Sequence, residues 1–166
     1  MMQYLPSIAG VAVLSVIITR TLIPLSRLMG LLDRPTGRKA HICTVPLVGG
    51  ISIYLSVVIS SVAFLDLPET FIAIALICGL ITFTGALDDR YPLQPVYRLV
   101  LQLMAGVTIA SMGVSVHSLC NLVGLGDINL ALFAIPFTAI AITGLCNAYN
   151  MVDGIDGLAG SLTLVA

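Results

Sequence analysis

Only eight of the 166 residues are acidic, and two of them, Asp153 and Asp156, stand three apart, each followed by a glycine. They sit in the run NAYNMVDGIDGLAGSL, with Asn147 and Asn150 six and three residues ahead of Asp153. If Asn147 to Asp153 continue a helix, the i, i+3 and i+6 positions fall along one face and aim two amides and a carboxylate at one point. Gly154 and Gly157 permit a tight turn and a close backbone approach to a ligand. Asp156 is placed to N-cap a helix starting at Leu158. A plain capped turn would account for Asp156 alone and leave the two Asn and Asp153 unexplained. The run D-G-I-D-G has no carboxylate where an EF-hand needs its twelfth-position ligand, and no G-x-x-x-x-G-K-[ST] run supports a P-loop.

A second acidic pair, Asp88–Asp89, lies in GALDDRYPLQPVYR and directly follows an apolar stretch. Carboxylates at a helix C-terminus oppose the macrodipole, typically at about 0.3–1 kcal/mol each. Their chemistry there is to hold Mg²⁺ against a phosphate or to supply a base. The plainer alternative is a solvated loop start with Arg90 as counter-ion. The third polar segment, LDRPTGRKAHICTVPLVGG, carries Arg38, Lys39 and His41 between turn residues. It reads as a phosphate-binding loop or as a topogenic cluster that only fixes the side of the membrane. His41 alone is a weak signal.

The elements that must position these residues are apolar. The composition is 58% apolar and 9% charged, and the mean hydropathy is +1.10. Soluble domains carry about 25% charged residues, so an ordinary soluble domain is excluded. A disordered tail and a nucleic-acid binder are excluded too, because there is no basic stripe. Five stretches, 5–29, 47–65, 71–87, 99–116 and 130–149, approach the roughly 20 residues that cross a bilayer, and a sixth apolar run starts at Leu158. The expected fold is all-α: a polytopic membrane helix bundle with five full transmembrane helices plus the start of a sixth. It forms a single membrane domain over 1–166 with no soluble domain.

Charge then orients it. Arg27, Arg34, Arg38 and Lys39 flank or fill the first loop, and Arg90 and Arg98 the third; the second and fourth hold only Asp66, Glu69 and Asp127. The positive-inside rule puts the N-terminus outside and the three chemistry-bearing loops in the cytoplasm. Arg20 reads as a snorkelling side chain. Cys78 and Cys146 lie inside apolar runs and read as small core residues. Cys43 and Cys120 fall on opposite sides of the membrane.

Three blocks in order, DRPTGRKAH with PLVGGISIY, GALDDR, and NAYNMVDGIDGLAG, make the chain resemble the polyprenyl-phosphate N-acetylhexosamine-1-phosphate transferases (glycosyltransferase family 4). The wording is most similar to the branch that transfers GlcNAc-1-phosphate to undecaprenyl phosphate. The resemblance implies that a polyprenyl-phosphate oxygen attacks the β-phosphorus of a UDP-N-acetylhexosamine and UMP leaves, with Mg²⁺ (Mn²⁺ as an alternative) required. It implies a catalytic set of Asp88, Asp89, Asp153 and Asp156, with Asp88, Asp89 and Asp153 as metal ligands. Substrate contacts fall to Arg38, Lys39, His41, Asn150, Gly154 and Asp156. Which Asp is the base stays open. The implied setting is the bacterial inner membrane, with the active site on the cytoplasmic face. The implied partners are the UDP-sugar, undecaprenyl phosphate and the bilayer, with a second copy of the chain as a further candidate and no nucleic acid.

Members of that family are considerably longer and carry two later cytoplasmic motifs, one around a metal-binding Asp and one rich in His. Neither occurs in these 166 residues. The expectation is that this stretch is the N-terminal half of such an enzyme and shows no turnover alone. The alternatives are an inactive truncated fragment and, from another class, a membrane transporter. Transporters place ionisable groups near the midplane, whereas these carboxylates sit at span ends.

Overall fold

A computed structural model describes residues 5–33, 44–120, 126–152 and 158–165. The chain is mostly helical and divides into two compact units, Met1–Leu93 and Gln94–Ala166.

The first unit contains α1 (Leu5–Met29), a ribbon of β1 (Leu32–Asp33) and β2 (Val45–Pro46), α2 (Gly49–Phe64) and α3 (Glu69–Arg90). Helix α1 ends in a Schellman turn. Gly30 takes φ +71, a left-handed conformation that costs glycine nothing, and Leu31 N donates to Ser26 O at 3.0 Å. The ribbon pairs Leu32 with Pro46 and Asp33 with Val45, antiparallel. It is a correction to the all-α expectation. Two residues per strand are too few for alternation to show in a sequence.

The ribbon returns the chain so that α2 runs antiparallel to α1, with Gly10 facing the Phe64 ring at the far end. Their seam is built of serines: Ser26 on α1 and Ser52, Ser56 and Ser60, one per turn of α2, are almost fully buried. Lipid tails are as apolar as Leu, so helices in a bilayer gain little by hiding Leu and associate through small residues that let backbones approach. Two of the hydroxyls are satisfied within α2, Ser52 Oγ donating to Val48 O at 2.8 Å and Ser56 Oγ to Ser52 O. Helix α3 buries no residue, and Leu76, Leu80 and Phe83 are 69, 54 and 66% exposed. Such a surface suits hydrocarbon as solvent.

The second unit contains α4 (Pro95–Ser111), a 3₁₀ turn (Ala131–Phe133), α5 (Ala134–Val152) and α6 (Leu158–Val165). Helices α4 and α5 run antiparallel. Ala105, Gly106, Ile109 and Ala110 are buried on α4, and Ala134, Thr138, Ala139 and Thr143 on α5. A Cβ on Gly106 would lie 2.9 Å from Ala139 Cα, so this pair of backbones meets where only glycine fits. At the opposite end Val116 N donates to Thr138 Oγ1 at 2.9 Å, which ties the connecting segment to α5.

Three helical stretches are long and apolar enough to cross a membrane: Ile8–Met29, Glu69–Arg90 and Ala131–Val152. The other two expected spans, Gly49–Phe64 and Pro95–Ser111, are apolar but shorter, with 16 and 17 residues. The observed helices thus support three full spans by length where the sequence suggested five. Two boundaries also move. Helix α4 starts at Pro95, whose fixed φ and missing N–H suit the first helical position, and it ends at Ser111 rather than 116. Helix α3 continues through Arg90.

Candidate active site

Because α3 extends to Arg90, Asp88 and Asp89 lie in its last turn and not after it. Asp88 is partly buried and Asp89 exposed. Asp88 Oδ1 accepts a hydrogen bond from Leu93 N at 2.7 Å, across the Tyr91–Gln94 connection to α4. A carboxylate that should oppose the helix dipole is therefore anchored by a backbone donor that the turn would otherwise leave unpaired. Consecutive positions send the two carboxylates in different directions around the helix.

Arg90 completes this end of α3. Its guanidinium stands 5.1 Å from the centroid of the Tyr91 ring, a cation–π contact. A Cβ on Gly30 would come within 3.7 Å of Arg90 Nε, so the arginine stem lies over the turn that closes α1. Beneath it a groove of about 370 Å³ runs down α3, lined by Leu31, Tyr54, Gly79, Phe83 and Leu87 with Arg90 at the rim. Tyr54 Oη closes the floor by donating to Ala75 O at 3.0 Å. The side chain fits because residue 79 is glycine; a Cβ there would collide with the phenol. The end of this membrane-length helix thus carries an acidic pair and a cation above an apolar groove.

In the second unit, α5 carries Asn147 and Asn150 in its last two turns. Asn150 is exposed. Asn147 does not join it. Its Nδ2 donates to Gln102 Oε1 on α4 at 2.7 Å and to Thr143 O at 2.8 Å, which uses both amide hydrogens. The expectation that Asn147, Asn150 and Asp153 aim at one point is corrected in that respect: the amide of Asn147 is turned into the α4–α5 seam. Gln102 was missed in the sequence, where its signal was the one carboxamide inside the apolar run of α4. Asp153, Gly154 and Asp156, like Arg38, Lys39 and His41, lie outside the described residues. Arg98 is partly buried in the first turn of α4.

Among the described residues no group of three or more His, Cys, Asp or Glu gathers as a metal site. Asp88 and Asp89 each offer hard carboxylate oxygens, the donor type Mg²⁺ takes from protein, although they leave the helix in different directions. The donor chemistry fits that ion. Cys78 is exposed on α3, contrary to the core placement expected for it, and Cys146 is partly buried.

Three curated relatives match this chain in sequence. Undecaprenyl-phosphate alpha-N-acetylglucosaminyl 1-phosphate transferase of Yersinia pestis is 38% identical over 143 residues, covering 83% of this chain and 38% of the relative. The protein of the same name in Escherichia coli K12 is 36% identical over 140 residues, with the same coverage. A probable undecaprenyl-phosphate N-acetylglucosaminyl 1-phosphate transferase of Bacillus subtilis is 31% identical over 163 residues, 98% of this chain and 44% of the relative. The chain therefore spans less than half the length of the relatives it matches. No solved structure matches it. The sequence profile described as glycosyl transferase family 4 matches residues 70–166, from the start of α3 through the acidic pair to the end of α6, and the chain belongs to that family.

Proposed function

We propose that this chain forms the N-terminal part of an enzyme that moves N-acetylglucosamine 1-phosphate from UDP-GlcNAc to undecaprenyl phosphate, releasing UMP and starting a lipid-linked envelope glycan. The observation that carries the reading is the likeness to relatives named for that transfer, continuous through the acidic end of α3 and the NAYNMVDGIDG run. An oxygen of the lipid phosphate attacks the β-phosphorus of the UDP-sugar. The bond from that phosphorus to the bridging oxygen breaks, and UMP leaves with the electron pair. One phosphoanhydride replaces another, so the barrier lies mainly in bringing anions together.

In this reading Asp88, Asp89 and Asp153 are the ligands of Mg²⁺, which when bound offsets phosphate charge. Asp156, Asn150 and Gly154 hold the nucleotide sugar, and Arg38, Lys39 and His41 hold phosphate oxygens. Asp88 is fixed by the Leu93 amide, and it carries the neighbouring Asp89 with it. The acceptor phosphate belongs to a membrane lipid, so the site has to sit at the bilayer surface, where helix-end residues are. Five spans with the N-terminus outside would bring these groups to the cytoplasmic face of a bacterial inner membrane.

Two measurements test it. The full-length protein in detergent or nanodiscs, given UDP-GlcNAc, undecaprenyl phosphate and Mg²⁺, is expected to release UMP and form the lipid diphosphate sugar, with EDTA abolishing both. Asp89→Asn is expected to lower kcat by about 10²–10³, the usual loss for one well-placed electrostatic contact, whereas Asp127→Asn leaves it unchanged. Wild-type rates from Asp89→Asn would end the assignment. For topology, an impermeant thiol reagent is expected to label Asp66→Cys and not Thr36→Cys in intact cells; the reverse pattern would invert the orientation.

A further inference from the structure

We infer that Gln102 is a positioning residue for the transfer. Through Asn147 it sets the rotation and depth of the end of α5 that carries Asn150 and leads into the Asp153–Asp156 segment. The inference rests on the reading above, but its geometry stands on the contacts alone. Asn147 Nδ2 reaches Gln102 Oε1 at 2.7 Å across two helices, 45 residues apart in sequence. It is a side-chain-to-side-chain hydrogen bond that crosses from helix to helix. The same nitrogen holds Thr143 O at 2.8 Å, so one amide is fixed at once to its own helix and to its neighbour. Both side chains are partly buried. Below them the seam is rigid, with Thr143 and Ala139 buried and Gly106 against the Ala139 backbone.

The clasp lies one turn before Asn150, and its placement decides its role. Helix ends fray, and the last turn of a helix has carbonyls without intrahelical partners. A helix pinned at residue 147 keeps its next turn in register with α4. Without that pin, residues 150–152 are the first to unwind or roll. A displacement of about 1 Å at a reacting group can cost about 10²-fold in rate even when the altered residue lies away from the chemistry. Gln102 supplies an acceptor only at the length of a glutamine, so side chains of other length or without that oxygen cannot replace it.

The test uses the full-length protein with Gln102→Leu, which removes the acceptor, and Gln102→Glu, which keeps an oxygen at the same distance in either protonation state. Gln102→Leu is expected to lower kcat at least about tenfold, with the KM for undecaprenyl phosphate changed less than about twofold. Gln102→Glu is expected to restore kcat to within about threefold of wild type. A purely structural role would instead lower the unfolding temperature of both variants without that split. A second readout needs no activity. In an Asn150→Cys background, maleimide labelling of position 150 is expected to accelerate about fivefold with Gln102→Leu and to return to the starting rate with Gln102→Glu. Unchanged labelling with Gln102→Leu, or failure of Gln102→Glu to rescue it, overturns the inference. A wild-type protein that forms no lipid-linked GlcNAc, yet shows the labelling pattern, would end the transferase reading and leave the clasp standing.

Discussion

The α1–α2 and α4–α5 pairs solve the same problem by different means. Both are antiparallel, both expose large apolar side chains outward, and both meet through small residues. In α1–α2 the buried groups are serines; the hydroxyls of Ser26, Ser52 and Ser56 bond back into their own helix, Ser60 Oγ has no partner, and no side-chain hydrogen bond crosses the seam among the described residues. In α4–α5 the backbones themselves touch at Gly106 and Ala139, and the Gln102–Asn147 amides cross the gap. A serine seam tolerates a slide of one helix along the other, because its hydrogen bonds travel with it. A glycine contact and an amide clasp do not. The pair that leads into the NAYNMVDGIDG run is the one with a fixed register.

The same substitution made once in each seam is the strongest way to break this comparison. A methyl on Gly106 meets Ala139 Cα at 2.9 Å and its carbonyl oxygen at 3.0 Å, backbone atoms that cannot step aside. Gly106→Ala is therefore expected to cost about 1–3 kcal/mol, the usual range for overpacking. A methyl on Gly10 meets the edge of the Phe64 ring at 2.8 Å, the end of a side chain that can rotate. Gly10→Ala is expected to cost below about 1 kcal/mol, since part of any strain is offset by the better helix propensity of alanine. Unfolding in a graded SDS titration reads both. Equal losses would mean that the two seams are equally rigid.

The smallest effect sharpens the contrast from the other side. Ser52→Ala removes a hydroxyl together with its bond to the Val48 carbonyl, leaves a residue of similar size, and takes nothing from α1. Polar contacts inside membrane proteins average about 0.6 kcal/mol, and this one lies within a single helix. The expected change is within about 0.5 kcal/mol in the same titration. A loss above about 1.5 kcal/mol would show that the serine hydroxyls bridge the helices after all.

Much of this organisation was legible in the sequence, and what was not has specific physical reasons. The apolar runs placed α1, α5 and α6 closely, since long uninterrupted hydropathy needs no tertiary information. The start of α4 was misplaced because Pro95 reads as a breaker, although the first helical position tolerates it. Cys78 was put on the wrong side of α3 because a helix apolar all round has no stripe to tell core from lipid. The acidic pair stood out through its conflict with the helix dipole. Its anchor, the Leu93 amide, depends on how the following turn folds and leaves no trace in residue spacing. Asn147 shows the limit most clearly. Spacing put it on one face with Asn150, but only the presence of α4 against that face decides what its amide meets.

The unequal helix lengths bear on the lipid around the protein. At 16 and 17 residues, α2 and α4 rise about 24–26 Å against about 30 Å of hydrocarbon. A bilayer meeting them has to pinch by a few ångströms, at fractions of a kcal/mol per ångström of mismatch. Lipid beside α2 and α4 is then drawn toward the midplane, and headgroup water comes with it. Such an indentation makes membrane thickness itself a variable for this protein.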